Sequence, residues 1–347
     1  MSSADFKLIK PITVTDAKLV SSSVPEATVA EYAAATTYAV SDTRGVTSGT
    51  AQDVYQSLQA GNVGRTPASS PTWWRLLGRV YAAYVSSATY AVDAVVTDLA
   101  NHQLYQSLIA NNTGKALSDK LSWLPLGATN RWKMFDRVVN SQTTAPNSVS
   151  TVIAPGEVVN SLTILNAAGA SVTVIQSDSG YTRTRSLVTH NVLSWYDFWY
   201  QEPLWVGDTV FDDIPPYINS TITVRVDSPG NQAAIGGWFL GKAKFIGKTQ
   251  WELVAGILSY STSETDKFGN TTLMKRENAK KMNFEVAIPR GYEDEVYRFL
   301  RSVDNTEMVA IASTYWAMTV SYGYLGQWEV PLSIAGKKMP VEWRGLT

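Results

Sequence analysis

The sequence predicts a mainly β protein with two small β modules, a jelly-roll-like β-sandwich and a C-terminal α+β domain. Three observations lead to this fold class. The segment at residues 55–64 recurs at residues 105–114 with seven of ten positions identical. Apolar and polar residues alternate with period two between residues 161 and 226, as they do in half-buried strands. One segment, residues 293–303, combines helical spacing of apolar residues with an acidic start.

Composition sets the limits on domain number and chemistry. The 347 residues are more than one hydrophobic core usually serves, so two or more domains are expected. The 29 basic and 30 acidic residues nearly cancel, which disfavours nucleic acid as a partner. The chain has no cysteine, and this excludes disulfides, thiolate catalysis and cysteine-bound metals. No cofactor and no metal ion are expected.

Residues 1–34 are predicted to form an N-terminal extension. They lack the apolar segment of a secretion signal, so the chain is expected to fold in the cytoplasm in which it is made. No run in the sequence reaches the roughly 18 apolar residues of a membrane-spanning helix, and no membrane insertion is expected.

The repeat predicts two modules, at residues 35–80 and 81–129. Each keeps the order Tyr-Ala-Val, Tyr-Gln-Ser-Leu, Asn-X-Gly and Trp. The glycine tolerates a positive φ and can end a strand in a turn. A module this small has little core, so its large rings must supply most of the burial. Tyr55/Trp74 and Tyr105/Trp123 are the expected core pairs. The full set of expected core rings is Tyr38, Tyr55, Trp74, Tyr90, Tyr105 and Trp123.

The β-sandwich is predicted at residues 130–245 and the α+β domain at residues 246–347. Alternation at residues 284–288 and 328–334 predicts further strands, and residues 293–303 predict one amphipathic helix. One helix covers only one face of a sheet, so surplus rings are expected to face a partner subunit. Packing of these rings against the sandwich is the alternative. They are Trp316, Tyr322, Tyr324, Trp328 and Trp343.

The sequence shows no evident set of catalytic residues, which predicts that the chain is not an enzyme. The two histidines, His102 and His190, are far apart in sequence, which disfavours a histidine metal site or a Ser-His-Asp triad. Asp208, Asp212 and Asp213 could bind Ca²⁺ or act as acid and base. The favoured alternative is that these carboxylates are solvated residues of turns.

The densest aromatic run, residues 195–200, is the candidate ligand platform. As a strand it would place Trp195 and Trp199 on one face and Tyr196 and Tyr200 on the other. One face would belong to the core or to an interface. The other face could stack against sugar rings.

The repeat motif resembles the small carbohydrate-binding modules of the chitin-binding type 3 class, families five and twelve. The similarity runs from Tyr38 to Trp74 and again from Tyr90 to Trp123. It implies a compact β fold that binds glycan through exposed aromatic residues. Those modules carry an aromatic pair just after the central Tyr strand, whereas residues 56–60 contain none. Trp73, whose counterpart in the second module is Ser122, is therefore the candidate glycan-binding residue.

The order of segments along nearly the whole chain resembles tail-tip or baseplate proteins of tailed bacteriophages. The similar stretches are residues 12–26, the two modules, residues 130–136 with the sequence NRWKMFD, and the terminal EWRGL at residues 342–346. The resemblance implies a structural protein of the virion tail that is assembled in the host cytoplasm. Other tail proteins and further copies of the chain would be its partners, together with a host-surface glycan.

The sequence is compatible with three functions. The first is a structural component of a phage tail, and the second is a free, lectin-like glycan-binding protein. The third is a polysaccharide hydrolase with attached binding modules. The absence of an evident acid–base pair disfavours the third, and the absence of a secretion signal disfavours the second.

Overall fold

The computed structural model describes residues 5–189, 194–202, 204–250, 252–331 and 338–347. The fold is mainly β, as the sequence predicts. The N-terminal segment forms β1 (Asp5–Pro11) and β2 (Leu19–Ser22). The first module contains β3 (Thr43–Ser48), β4 (Ala51–Ser57) and β5 (Trp74–Tyr81). The second contains β6 (Thr89–Tyr90), β7 (Val95–Asp98), β8 (Gln103–Ser107), β9 (Asn112–Thr113) and β10 (Trp123–Ala128).

The rest of the chain carries most of the strands and both helices of the described residues. From residue 143 to residue 249 the elements are β11 (Thr143–Ile153), β12 (Ser161–Leu165), β13 (Ser171–Gln176), β14 (Thr182–Ser186), β15 (Val188–Thr189), α1 (Trp195–Tyr200), β16 (Leu204–Trp205), β17 (Thr209–Phe211), β18 (Ile222–Ile235) and β19 (Gly237–Thr249). The remaining elements are β20 (Val254–Ser259), β21 (Thr262–Thr265), β22 (Thr271–Met274), β23 (Asn278–Ala287), α2 (Glu293–Ser302), β24 (Met308–Ile311), β25 (Val320–Trp328) and β26 (Lys338–Gly345). Short 3₁₀ turns occur at Pro67–Ser69, Lys133–Phe135 and Ala317–Thr319.

The first module is organised around a cluster of three rings. Tyr32, Tyr38 and Trp74 lie with their ring centroids 5.2–5.8 Å apart. Tyr55, the expected partner of Trp74, is only half-buried and is not a member of this cluster. The reason is the alternation along β4, where Val54 faces the interior and the next residue therefore faces the other way.

The second module repeats this arrangement. The ring centroids of Tyr84, Tyr90 and Trp123 lie 5.4–6.0 Å apart, and both tyrosine rings meet the tryptophan ring edge-on. The Trp123 indole donates to the carbonyl of residue 115 at 3.0 Å, as the Trp74 indole does to that of residue 65 at 2.8 Å. Tyr105, the second expected core partner, is half-buried at the margin of the cluster.

A sandwich of two sheets forms the largest core. The five-stranded sheet has the order β14-β13-β18-β11-β2, and it faces the β17, β12 and β19 part of a nine-stranded sheet. Val172, Val174, Val224 and Val226 project into the core from the first sheet, at alternate positions of their strands. The alternation in the sequence corresponds to half-buried strands at β13 and β18, whereas all five residues of β12 are buried and the expectation of a half-buried strand is wrong there.

The nine-stranded sheet crosses the domain boundaries that the sequence predicts. Its order is β17-β12-β19-β1-β24-β25-β26-β23-β20. β19 (Gly237–Thr249) spans the boundary placed between residues 245 and 246, so the sandwich and the C-terminal region share one sheet. β1 lies between β19 and β24, so residues 5–11 of the predicted N-terminal extension form a central strand of this sheet. Its residues Phe6, Leu8 and Ile9 are fully buried because both faces of the sheet are covered there.

The C-terminal part buries two of its five predicted surplus rings within the chain. Trp343 packs under α2, and Tyr322 stacks on Phe239 of β19 at 4.3 Å on the opposite face of the sheet. Trp328 and Tyr324 are half-buried, and Trp316 remains exposed. The alternative of packing within the chain therefore accounts for the buried rings. The predicted helix is present as α2. The strand expected at residues 328–334 is not: β25 ends at Trp328, residues 329–331 are not in a strand, and residues 332–334 lie outside the described residues.

Candidate functional site

The densest cluster of exposed aromatic side chains is an aromatic projection, defined here as residues 188–189, 194–202 and 204–205. It follows the edge strand β14 of the sandwich, and β15 pairs with β16 at its base. Helix α1 lies between these two strands. The five aromatic side chains of the helix are 58–80% exposed: Trp195, Tyr196, Phe198, Trp199 and Tyr200.

The aromatic run is a helix and not the strand that its sequence suggested. Ser194 caps the helix, because its hydroxyl oxygen accepts a hydrogen bond from the Asp197 backbone N–H at 3.2 Å. Tyr196 and Tyr200, four residues apart, come into ring contact at 4.9 Å on one side of the helix. The two-faced platform expected from a strand is therefore wrong. A polar Ser three residues before an Asp is the sequence signal that could have indicated a helix start.

All rings of α1 remain outside the core, and more than half of each ring side chain is exposed. Phe198 contacts Trp195 and Trp199 edge-on at 6.2 and 5.2 Å, which leaves broad ring faces turned to solvent. Trp205 at the base is a further ring, 64% exposed. No Lys or Arg occurs between residues 186 and 224, so the local sequence is acidic as well as aromatic. Such a surface suits stacking or apolar contact with a partner.

Trp73, the candidate sugar-binding residue of the first module, lies away from this projection. It is half-buried, and the guanidinium of Arg65 lies over its ring at 5.2 Å. A sugar would have to displace this cation to stack on that face. Ser122, which occupies the corresponding position of the second module, is buried and provides no aromatic ring.

The three aspartates considered for catalysis or calcium each have a partner. Asp208 pairs with Lys280, and Asp212 with Lys7 at 2.8 Å. The Tyr181 hydroxyl donates to Asp213 at 2.5 Å. Partial burial by itself would raise the pKa of Asp213, but hydrogen bonds from Tyr181 and Arg183 outweigh it and lower the pKa. A general acid needs the opposite shift, so this carboxylate is suited to holding structure.

His102 belongs to a polar junction between the N-terminal segment and the second module. Its ring stacks on Trp132 at 3.9 Å, and its nitrogens lie 2.8 Å from Glu26 and 3.2 Å from Asp16. The buried Glu26 also accepts hydrogen bonds from Thr129 and from the Trp132 indole. The other histidine, His190, lies outside the described residues.

A cavity of about 390 Å³ adjoins this junction, between the modules and the sandwich. Its lining mixes apolar residues such as Leu76 and Pro146 with Glu26 and Arg79. Glu26 is occupied by the hydrogen bonds of the junction, and Arg79 is bound to Asp53 at 2.8 Å. These two charged groups of the cavity therefore serve the structure around it.

The described ranges contain no group of three or more His, Asp or Glu side chains placed to hold a metal ion. No helix in the described part of the chain is long and apolar enough to cross a membrane. Comparison with protein-family models, curated proteins and solved structures gives no match for this chain.

Proposed function

We propose that this chain is a non-catalytic structural component of a phage tail tip or baseplate, and that the aromatic projection is one of its contacts with other tail proteins. The observation that carries the proposal is the exposure of all five rings of α1. Soluble proteins that act alone rarely present such a contiguous apolar surface. A partner that covers it would gain the burial that the chain itself does not provide.

The arrangement of the acidic residues supports a non-catalytic role. Asp208, Asp212 and Asp213 are all engaged by basic or hydroxyl groups of the chain. A glycosidase needs two carboxyl groups that face a common substrate, one of them with a raised pKa. The pKa of Asp213 is shifted in the opposite direction.

The particle type rests on the resemblance of residues 12–26 and 130–136 to phage tail proteins. These stretches supply Asp16, Glu26, Arg131 and Trp132, which join the modules to the sandwich. A rigid connection between small β modules and a large sheet is what a structural component of a particle requires.

The test is to locate the chain in phage particles from the bacterium that carries its gene. Gold-labelled antibodies against the purified chain should bind the tail end of the particles. A Trp195→Ser/Trp199→Ser variant supplied in trans should be incorporated poorly, whereas a Trp73→Ser control should be incorporated normally. Particles that contain none of the chain, with all of it free in the lysate, would refute the tail proposal.

The second candidate function is binding of a glycan by the same projection. The outward ring faces of Trp195, Trp199 and Trp205 favour it, because sugar rings stack on such surfaces. Titration of the full chain with chitin oligosaccharides should quench tryptophan fluorescence if this holds. Trp199→Ala should abolish the response and Trp73→Ala should preserve it. An unchanged spectrum at millimolar sugar would exclude this ligand.

A further inference from the structure

Three of the four outer strands of the two large sheets are protected against pairing with another chain. β14 carries Arg183 and Arg185, and charged side chains discourage a new strand. β2 is only four residues long. β17 has three residues, all buried. Short, charged or covered edges are the usual ways in which proteins keep sheets from joining.

The fourth outer strand, β20 (Val254–Ser259), has none of these protections. It is six residues long, and residues 253–263 contain no charged residue and no proline. Val254 and Ile257 are 63% and 68% exposed. β20 pairs with β23 on one side, and no strand among the described residues pairs with its other side. Alternate residues of β20 therefore direct backbone N–H and C=O groups away from the sheet.

We propose that β20 pairs antiparallel with β20 of a second copy of this chain, so that two nine-stranded sheets join across a two-fold axis. Another extended strand can bind the free backbone groups of this edge in series, as happens when a strand is added to an exposed sheet edge. Head-to-tail pairing with β17 of the next copy would use an edge of three buried residues. Pairing of β20 with itself uses the one long edge twice and brings no like charges together.

Symmetry restricts the register of this pairing. A two-fold axis perpendicular to the sheet keeps each side chain on its own face, and paired residues must share a face. Of the registers that satisfy this condition, the two that pair most of Val254–Ser259 place Gly256 opposite the partner's Gly256 or Ile257 opposite the partner's Ile257. In both registers the two isoleucines are direct or diagonal neighbours, within about 8 Å of each other.

The hairpin of β21 and β22, which follows β20 directly, adds apolar area to this edge. Tyr260, Phe268 and Leu273 are all more than half exposed. A stable interface usually buries at least about 1,000 Å², more than one pair of short strands supplies. These residues offer the additional surface. The dimer is independent of the tail proposal, since it concerns a different face of the molecule and requires no phage partner.

The first test measures the mass of the full-length chain in solution as a function of concentration. The wild type should shift from monomer to dimer, and Leu121→Lys, at an 85% exposed position of the second module, should behave the same way. Ile257→Lys should raise the dissociation constant at least about tenfold, because two lysines would meet at the axis. Its circular dichroism and thermal unfolding should match the wild type. A wild type that stays monomeric throughout the micromolar range would overturn the proposal.

The second test uses the absence of native cysteine. A single Ile257→Cys substitution should give a covalent dimer with a short bis-maleimide of about 8 Å reach. Ile218→Cys, at another exposed isoleucine, is the control and should stay monomeric. If the chain dimerises but the Ile257→Cys variant does not cross-link, the dimer uses another surface and the β20 pairing is wrong.

Discussion

Glu26 is the residue on which the junction of the modules with the sandwich depends most. Its carboxylate is 8% exposed and accepts from Thr129 at 2.9 Å and from the Trp132 indole at 3.1 Å, with His102 at 2.8 Å. These groups lie more than 70 residues from Glu26 in the sequence, so no local sequence pattern predicts the cluster. His102 itself has a positive φ of 56° and directly precedes β8.

Replacing Glu26 should therefore destabilise the protein strongly. Glu26→Ala removes the acceptor of several buried donors, and we expect a loss of about 3 kcal/mol in the free energy of unfolding. Urea unfolding followed by tryptophan fluorescence measures this loss. Glu157→Ala is the control, because Glu157 pairs with Lys18 at the surface and should change stability by less than about 0.5 kcal/mol. Equal effects of the two substitutions would contradict the role of the junction.

Asp213 gives a prediction about pH. Its hydrogen bonds with Tyr181 and Arg183 lower its pKa in the folded state below the ordinary value of 3.8. The ionised carboxylate therefore stabilises the fold above that value, and this contribution disappears as the pH falls through the folded-state pKa. The thermal unfolding temperature of Asp213→Asn should lie below that of the wild type at pH 7, and the two temperatures should converge as the pH falls below 3.8 and through the folded-state pKa. A constant difference over this whole range would show that the charge is not involved.

At the scale of elements, the doubled motif predicts the modules but not the whole of their cores. Residues 32–38 read YAAATTY and residues 84–90 read YVSSATY, so the first tyrosine of each ring cluster recurs with the same spacing before the second. This spacing is a sequence signal for the ring clusters, whereas the Tyr-Gln-Ser-Leu repeat predicts Tyr55 and Tyr105 in their place. The alternation along that strand places its buried side on Val54 and not on the tyrosine.

The ring clusters predict how substitutions in the second module differ. Trp123→Ala should lower the free energy of unfolding by about 3–5 kcal/mol, since the ring is buried and its indole N–H is bonded. Tyr105→Ala should have a clearly smaller effect, about 1 kcal/mol, because its ring is half-buried. Chemical denaturation of both variants decides between the cluster with Tyr84 and the pair first expected from the sequence. A larger loss for Tyr105→Ala would favour that pair.

The aromatic projection should be dispensable for folding. All described side chains of α1 lie outside the core, so replacing Trp195–Tyr200 by a Gly/Ser segment of equal length removes no core contact. We expect the free energy of unfolding, measured with urea, to change by no more than about 0.5 kcal/mol. A large loss of stability would mean that the rings serve the fold and not a partner.

At the scale of the whole molecule, the alternating strands were predictable and their sheet partners were not. The period-two pattern identifies β13 and β18 because one face of each strand is buried. It also identifies β12, although all five residues of that strand are buried. Pairing between β1 and β19 joins residues more than 200 positions apart, and local composition carries no information about it. The boundary predicted at residue 245 falls inside β19, and the nine-stranded sheet joins β1 of the predicted N-terminal extension to strands of the two regions after residue 130.

The central position of β1 leads to the last prediction. Phe6, Leu8 and Ile9 are fully buried, and each contributes roughly 1.5–3 kcal/mol through removal of apolar surface from water. Together this approaches the roughly 5–15 kcal/mol that stabilises a typical folded protein. A chain beginning at residue 12 should therefore lose cooperative thermal unfolding in its C-terminal half and bind hydrophobic dyes. The full chain with Lys7→Ala and Lys10→Ala, which keeps the three apolar side chains, should unfold cooperatively. If the truncated chain instead remains soluble and unfolds in one sharp transition, the C-terminal half is a domain of its own and the shared sheet is not essential to it.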